Sequence, residues 1–106
     1  NPFENSCQAI LQLLKVWEPH LLALSEEKLV AEEHPGPKHE NWYNLVQLWK
    51  YANLHLIHVV RNVDETKLEN QWISGEDKLI SLRENIEGYL PHLELHLGEI
   101  EELINQ

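Results

Sequence analysis

Apolar side chains recur at three- and four-residue spacing in three separate stretches of the chain. The first, Ile10, Leu13, Leu14, Trp17, Leu21 and Leu24, follows one face of a helix with ~3.6 residues per turn. Pro2 marks its start. Pro19 falls inside it and predicts a kink or a restart near Glu18, because proline lacks the backbone N–H and crowds the preceding turn. Residues 25–33 read as a short polar helix or a fraying end, and His34-Pro35-Gly36-Pro37 as a loop. The second stretch predicts a helix over residues 41–63, with Leu45, Leu48, Trp49, Ala52, Leu56, Val59 and Val63 as its buried stripe. Asp64 then offers an N-cap for a short turn over residues 65–69. From 70 to 80 the pattern is irregular, with Ser74-Gly75-Glu76-Asp77 as a turn. A long connector or a small hairpin fits there better than a helix.

The third stretch has a defined start. Ser81 and Glu84 have the S-x-x-E spacing of a capping box, in which each side chain satisfies the other residue's backbone N–H. Leu82, Ile86, Leu90, Leu93, Leu97, Ile100 and Ile104 carry the helix onward. Pro91 removes a hydrogen bond to Glu87, so the last helix is expected to bend near Pro91. Three long amphipathic helices bury their stripes against one another or within a four-helix bundle. The expected fold is therefore all-α, an up-down helical bundle, with residues 1–106 forming a single domain.

Composition supports a packed core. The 106 residues are 42% hydrophobic and 25% charged, which disfavours intrinsic disorder. The net charge is −10 and the eight Lys and Arg residues are scattered, so neither nucleic acid nor an anionic membrane surface is an expected partner. The longest apolar run, residues 54–60, is broken by His55 and His58 and falls far short of the ~20 residues a bilayer span needs. Cys7 is the single cysteine. With no secretory pattern at the N-terminus, it favours a reducing, cytoplasmic location. The chain begins at Asn1 and contains no methionine, and so reads as a processed, trimmed or partly represented polypeptide.

The candidate chemistry lies in the histidines, of which there are seven. His92 and His96 form an i, i+4 pair on the last helix, and His55 and His58 an i, i+3 pair on the second. Either spacing puts both imidazoles on one side of a helix, where they can converge on one ion. At ~100° per residue, His96 lies ~60° and His92 ~100° from the centre of their helix's apolar stripe. With Ala52 as centre, His55 lies ~60° and His58 ~120° away. Both pairs are thus expected on the shoulder of the core face, where boundary histidines with no ligand role also occur. His20, His34 and His39 stand beside breakers or a kink and are expected in solvent. Glu99, three residues after His96, offers a further ligand or an acceptor for its imidazole, although many such glutamates are simply solvated.

Other signatures fail. No Glu-x-x-His occurs, and His39-Glu40 lacks the second histidine of HExxH. There is no G-x-S-x-G and no glycine-rich phosphate loop. Cys7 is expected to pack as a small apolar residue. If the chain carries out chemistry, a metal ion is the expected agent.

The segment Glu87-Gly88-Tyr89-Leu90-Pro91-His92-Leu93-Glu94-Leu95-His96-Leu97-Gly98-Glu99-Ile100 resembles the final-helix motif of the DinB-like (DinB/YfiT-like) superfamily. That motif is an acidic or polar residue, Tyr, and then HLxHHLxQI. Leu48-Trp49 through Asn53-Leu54-His55-Leu56-Ile57-His58-Val59-Val60 resembles the penultimate long helix of one subfamily, and Trp72 and Ser81-Leu82 fall where it tends to have Trp and Ser/Thr-Leu. The resemblance covers about residues 42 to 104. It implies a four-helix bundle, usually dimeric, with a divalent metal, Zn or Ni, held by three histidines, two of which map onto His92 and His96.

The third family histidine lies on a helix with no counterpart here, and position 95, often histidine in the family, is leucine. Either His55 or His58 substitutes, or the third ligand belongs to a missing helix, or the site is lost; the short chain favours the missing helix. Some relatives are thiol-dependent S-transferases or hydrolases, so the resemblance implies a small-molecule or thiol substrate and a metal-activated thiolate or water. Trp49, Tyr51 and Tyr89 would then line the pocket. The competing expectation is a non-catalytic helical module that forms a homodimer or binds a partner through its apolar stripe.

Overall fold

A computed structural model describes residues 1–24 and 41–105. The readings of residues 25–33 and of the His34–Pro37 loop, together with His34 and His39, lie outside the described residues. In chain order the elements are α1 (Glu4–Leu22), α2 (Trp42–Arg61) and a 3-10 turn (Glu65–Lys67), followed by strands β1 (Gln71–Ile73) and β2 (Leu79–Ser81). Helices α3 (Leu82–Glu87) and α4 (Tyr89–Ile104) complete the chain. The all-α expectation is therefore corrected: a mostly helical chain carries a two-stranded antiparallel sheet. The pairing is Gln71 with Ser81, Trp72 with Ile80 and Ile73 with Leu79. The connector reverses direction at Asp77, whose φ of 61° lies in the left-handed region that Asp tolerates better than most residues. Its N–H donates to Ser74 O over 3.0 Å, and Ser74 N–H donates to Lys78 O over 2.8 Å.

The helix starts follow local chemistry. Asn41 caps α2, its Oδ1 accepting from the N–H groups of Tyr43 and Asn44. Asp64 caps the 3-10 turn through Thr66 N–H. The Ser81–Glu84 capping box forms in both directions, at 3.0 Å each way. The prolines act differently from expectation. α1 runs unbroken through Pro19 and ends three residues later at Leu22. The break before α4 falls at Gly88, upstream of Pro91. Pro91 sits in the first turn of α4, where its missing N–H costs least and its ring crowds the carbonyl three or four residues earlier. The interruption appears where that crowding is relieved.

α1 and α2 run antiparallel, as four cross-links show. Asn1 Nδ2 donates to Val60 O (3.0 Å) and Arg61 pairs with Glu4 (2.7 Å). Lys50 pairs with Glu18 (2.9 Å), and Trp42 Nε1–H donates to Leu21 O (2.8 Å). The core joins Phe3, Cys7, Ile10 and Leu14 of the N-terminal segment to Ile57 and Val60 of α2, Leu68, and Leu93 and Leu97 of α4. Of these, Ile10, Leu14, Leu93 and Leu97 belong to the stripes read for the first and last helices, and Phe3 and Cys7 extend the first toward the N-terminus.

The stripe read for α2 does not. The helix buries Val46 (2% exposed), Asn53, Ile57 (3%) and Val60, while Leu48 (67%), Tyr51 (59%) and Val59 (50%) face outward, as do Leu45 and Ala52. The buried face is centred near Asn53, ~100° round the helix from Ala52. Among the described residues no helix is long and apolar enough to cross a membrane.

Candidate metal centre

The rotation of α2 decides which histidines can meet. Measured from Asn53, His55 lies ~160° and His58 ~140° from the buried centre. Both are exposed, on the side away from the core and not on its shoulder. Their rings are stacked with centroids 6.3 Å apart. Parallel offset rings direct their nitrogens alongside one another, and nothing draws the lone pairs to one point.

On α4 the outcome is different. His92 and His96 also face solvent, flanking the buried Leu93 and Leu97. Their rings meet edge to face with centroids 4.3 Å apart. The Nε2 atoms are 3.0 Å apart, and Glu99 Oε1 lies 2.8 Å from His96 Nδ1. A carboxylate can only accept, so His96 carries its proton on Nδ1 and presents a bare lone pair at Nε2. That lone pair accepts from His92 Nε2–H in the neutral pair. The chain Glu99, His96, His92 thus leads from a carboxylate through an oriented imidazole to the His92 Nε2–H donor.

A tetrahedral ion ~2.0–2.1 Å from each nitrogen would hold them about 3.3 Å apart. The observed 3.0 Å is within reach of that span by small side-chain rotation. The separation is close to that of a two-histidine chelate, and Glu99 stands as an acceptor on the outer nitrogen of His96. A three-ligand centre does not form here: among the described residues, no group of three His, Cys, Asp or Glu side chains could hold a metal. His55 and His58 are not brought to the α4 pair.

The expected pocket residues also part company. Tyr89 and His92 line a groove of about 310 Å³ with Ile80, Glu84, Asn85 and Gly88. Trp49 instead lines an apolar recess of about 170 Å³ with Leu21, Trp42, Leu45, Val46, Leu97 and Ile100. Tyr51 projects outward with Lys50 Nζ 4.8 Å from its ring centre.

Asn53, which apolar periodicity passes over, is the polar centre of this packing. Its Oδ1 accepts from the Tyr89 hydroxyl at 2.5 Å and its Nδ2 donates to Trp49 O at 2.8 Å. Burial pushes the Tyr89 hydroxyl above its ordinary pKa, which keeps it a donor. Tyr89 stands one turn before His92, so this bond fixes the N-terminal end of α4 against α2. Cys7 packs in the core as expected, and burial raises its thiol pKa, disfavouring the nucleophilic thiolate. Comparison with family models, curated proteins and solved structures gave no match.

Proposed function

We propose that the chain is a DinB-like, metal-dependent protein in which His92 and His96 supply two ligands for a divalent transition metal such as Zn or Ni. The observation that carries this reading is the 3.0 Å approach of the two Nε2 atoms, with Glu99 holding the outer nitrogen of His96. A bound ion of this kind lowers the pKa of a coordinated thiol or water, the chemistry of thiol-dependent transfer and of hydrolysis. The chain's own contribution is positional. α4 sets the i, i+4 spacing, Glu99 selects the His96 tautomer, and the Tyr89–Asn53 bond anchors the helix end that carries His92. Two protein ligands leave coordination positions open, which suits a substrate-binding centre better than a closed structural one.

The test is metal content and binding, measured on untagged protein with Zn²⁺ and Ni²⁺ after reconstitution. Near-stoichiometric binding is expected, with loss in His92→Ala and in His96→Ala and none in His55→Ala. Glu99→Gln should weaken binding by about tenfold or more. Protein that takes up no metal sinks the reading.

A second reading, a non-catalytic helical module that binds a partner, is favoured by one observation. The outward face of α2 is apolar: Leu45, Leu48, Ala52 and Val59 are all exposed along it.

A further inference from the structure

The buried stripe at the start of the chain runs through Phe3, Cys7, Ile10 and Leu14. Cysteine is the smallest of these side chains, and beside it the core is not filled. A cavity of about 100 Å³ lies between α1, α2 and the α3–α4 junction, walled mainly by Cys7, Ile10, Ile57, Val60, Ile86 and Tyr89. Cys7, Ile10, Ile57 and Val60 are core residues, all buried, so the space is internal and not a dent in the surface. Protein interiors hold few voids larger than a water molecule, and this one stands out. It lies ~21 Å along α1 from Leu21, at the end of the helix pair where Asn1 meets Val60, and is separate from the recess at Trp49.

The chemistry of the walls limits what the cavity can hold. No charged side chain lines it. Tyr89 does, but its hydroxyl is committed to Asn53. The Cys7 thiol, held neutral by burial, is only a weak donor. Ser6 and Asn85 bring the remaining polar side-chain atoms, and Asn85 is exposed, which marks the open edge. The volume equals the share of about three waters, each of which would need about two to four polar partners. The walls do not supply them. An ion would lose its hydration with no counter-charge in return. An uncharged apolar occupant loses little on entry and restores the dispersion contacts that the empty walls lack. By proportion to a ~150 Å³ apolar cavity that admits benzene, this space takes about four heavy atoms.

From these observations we propose that the cavity beside Cys7 is a binding site for a small, uncharged, apolar molecule of about four heavy atoms, entered at Asn85. The inference goes beyond the metal reading and does not rest on it, since no histidine lines the cavity.

The experiment is NMR of the full chain with labelled Ile and Val methyl groups, titrated with xenon and, separately, with isobutane. Saturable shifts are expected at Ile10, Ile57, Val60 and Ile86, with Ile100, in the recess at Trp49, unmoved. Cys7→Leu fills the space and should abolish both titrations while helical circular dichroism is retained. Val60→Ala widens it and should admit benzene, which the parent excludes. Should Cys7→Leu fail to fold, Cys7→Ala decides the same question: it too enlarges the cavity and should bind benzene.

Shifts that do not saturate, that appear equally at Ile100, or that survive Cys7→Leu overturn the site. Benzene bound equally by the parent and by Val60→Ala overturns the size of the occupant. Methyl groups that show contacts to water and no response to xenon mean a hydrated cavity, and overturn the apolar assignment.

Discussion

α2 and α4 each carry a histidine pair on an amphipathic helix, yet they behave differently. The i, i+4 pair on α4 brings its Nε2 atoms to 3.0 Å, while the i, i+3 pair on α2 leaves its rings stacked at 6.3 Å. The helices differ in a second way. α4 buries the stripe that its sequence shows, whereas α2 buries the neighbouring one. Spacing alone permits convergence but does not produce it. What separates the pairs is a positioning contact, Glu99 on His96, and a helix rotation set by groups outside the pair.

The rotation of α2 offers the largest effect with which to challenge this contrast. Ile57→Ala, on the buried face, should cost about 2–5 kcal/mol in chemical denaturation, through lost burial and a residual cavity. Leu48→Ala, on the exposed face, should change stability by under about 0.5 kcal/mol. Equal costs would mean that α2 buries both faces.

The next effect concerns what fixes α2 in this orientation. Tyr89→Phe removes the donor to Asn53 Oδ1 and leaves a buried oxygen without a partner, at a cost of about 1–3 kcal/mol. Replacing both, with Asn53→Leu added, should recover part of that loss, because no orphaned polar group remains. Additive losses in that double-mutant cycle would show that the bond does not couple α2 to α4.

The smallest effect is electrostatic. Hydrogen bonds from Arg61 and Lys50 hold the Glu4 and Glu18 carboxyls below their usual value of 4.5. Folding lowers both pKa values, so the folded state binds fewer protons than the unfolded one. Their stabilisation is complete above the unfolded value and is lost as pH falls through the lowered folded values. Both pairs are solvent-accessible and should contribute little. Thermal melts below pH 4.5 should show a shallower acid loss in Glu18→Gln than in the parent, since one of the two titrating carboxyls is gone. An unchanged acid slope would remove these pairs from the account of how α1 meets α2.

Several features were legible because they depend on residues close in sequence. The Ser81–Glu84 box, the Asp64 cap and the turn at residues 74–77 are set within four or five residues, and the stripes of α1 and α4 each have a single apolar face. The His92–His96–Glu99 array is equally local: one helix holds all three side chains, so spacing sufficed to place them together. The prolines were only half legible. That proline perturbs a helix is a local rule, but whether the helix runs on through it, as at Pro19, or breaks upstream, as at Gly88 before Pro91, depends on how the flanking turns pack.

Tertiary structure alone decided the orientation of α2. Its sequence has two adjacent apolar faces, and counting hydrophobic residues favours the one without Asn53. Burying Asn53 is ordinarily unfavourable, and becomes acceptable only because Tyr89 and the Trp49 carbonyl satisfy it from across the core and along the helix. Lys50 and Arg61 bias the same choice, since their carboxylate partners lie on α1. A partner 36 residues away in sequence leaves no periodic trace. The sequence by itself therefore determined which residues form helices and which histidines share a turn. Only the packed chain decided which face of α2 turns inward, and with it where His55, His58 and the apolar residues around Ala52 are left.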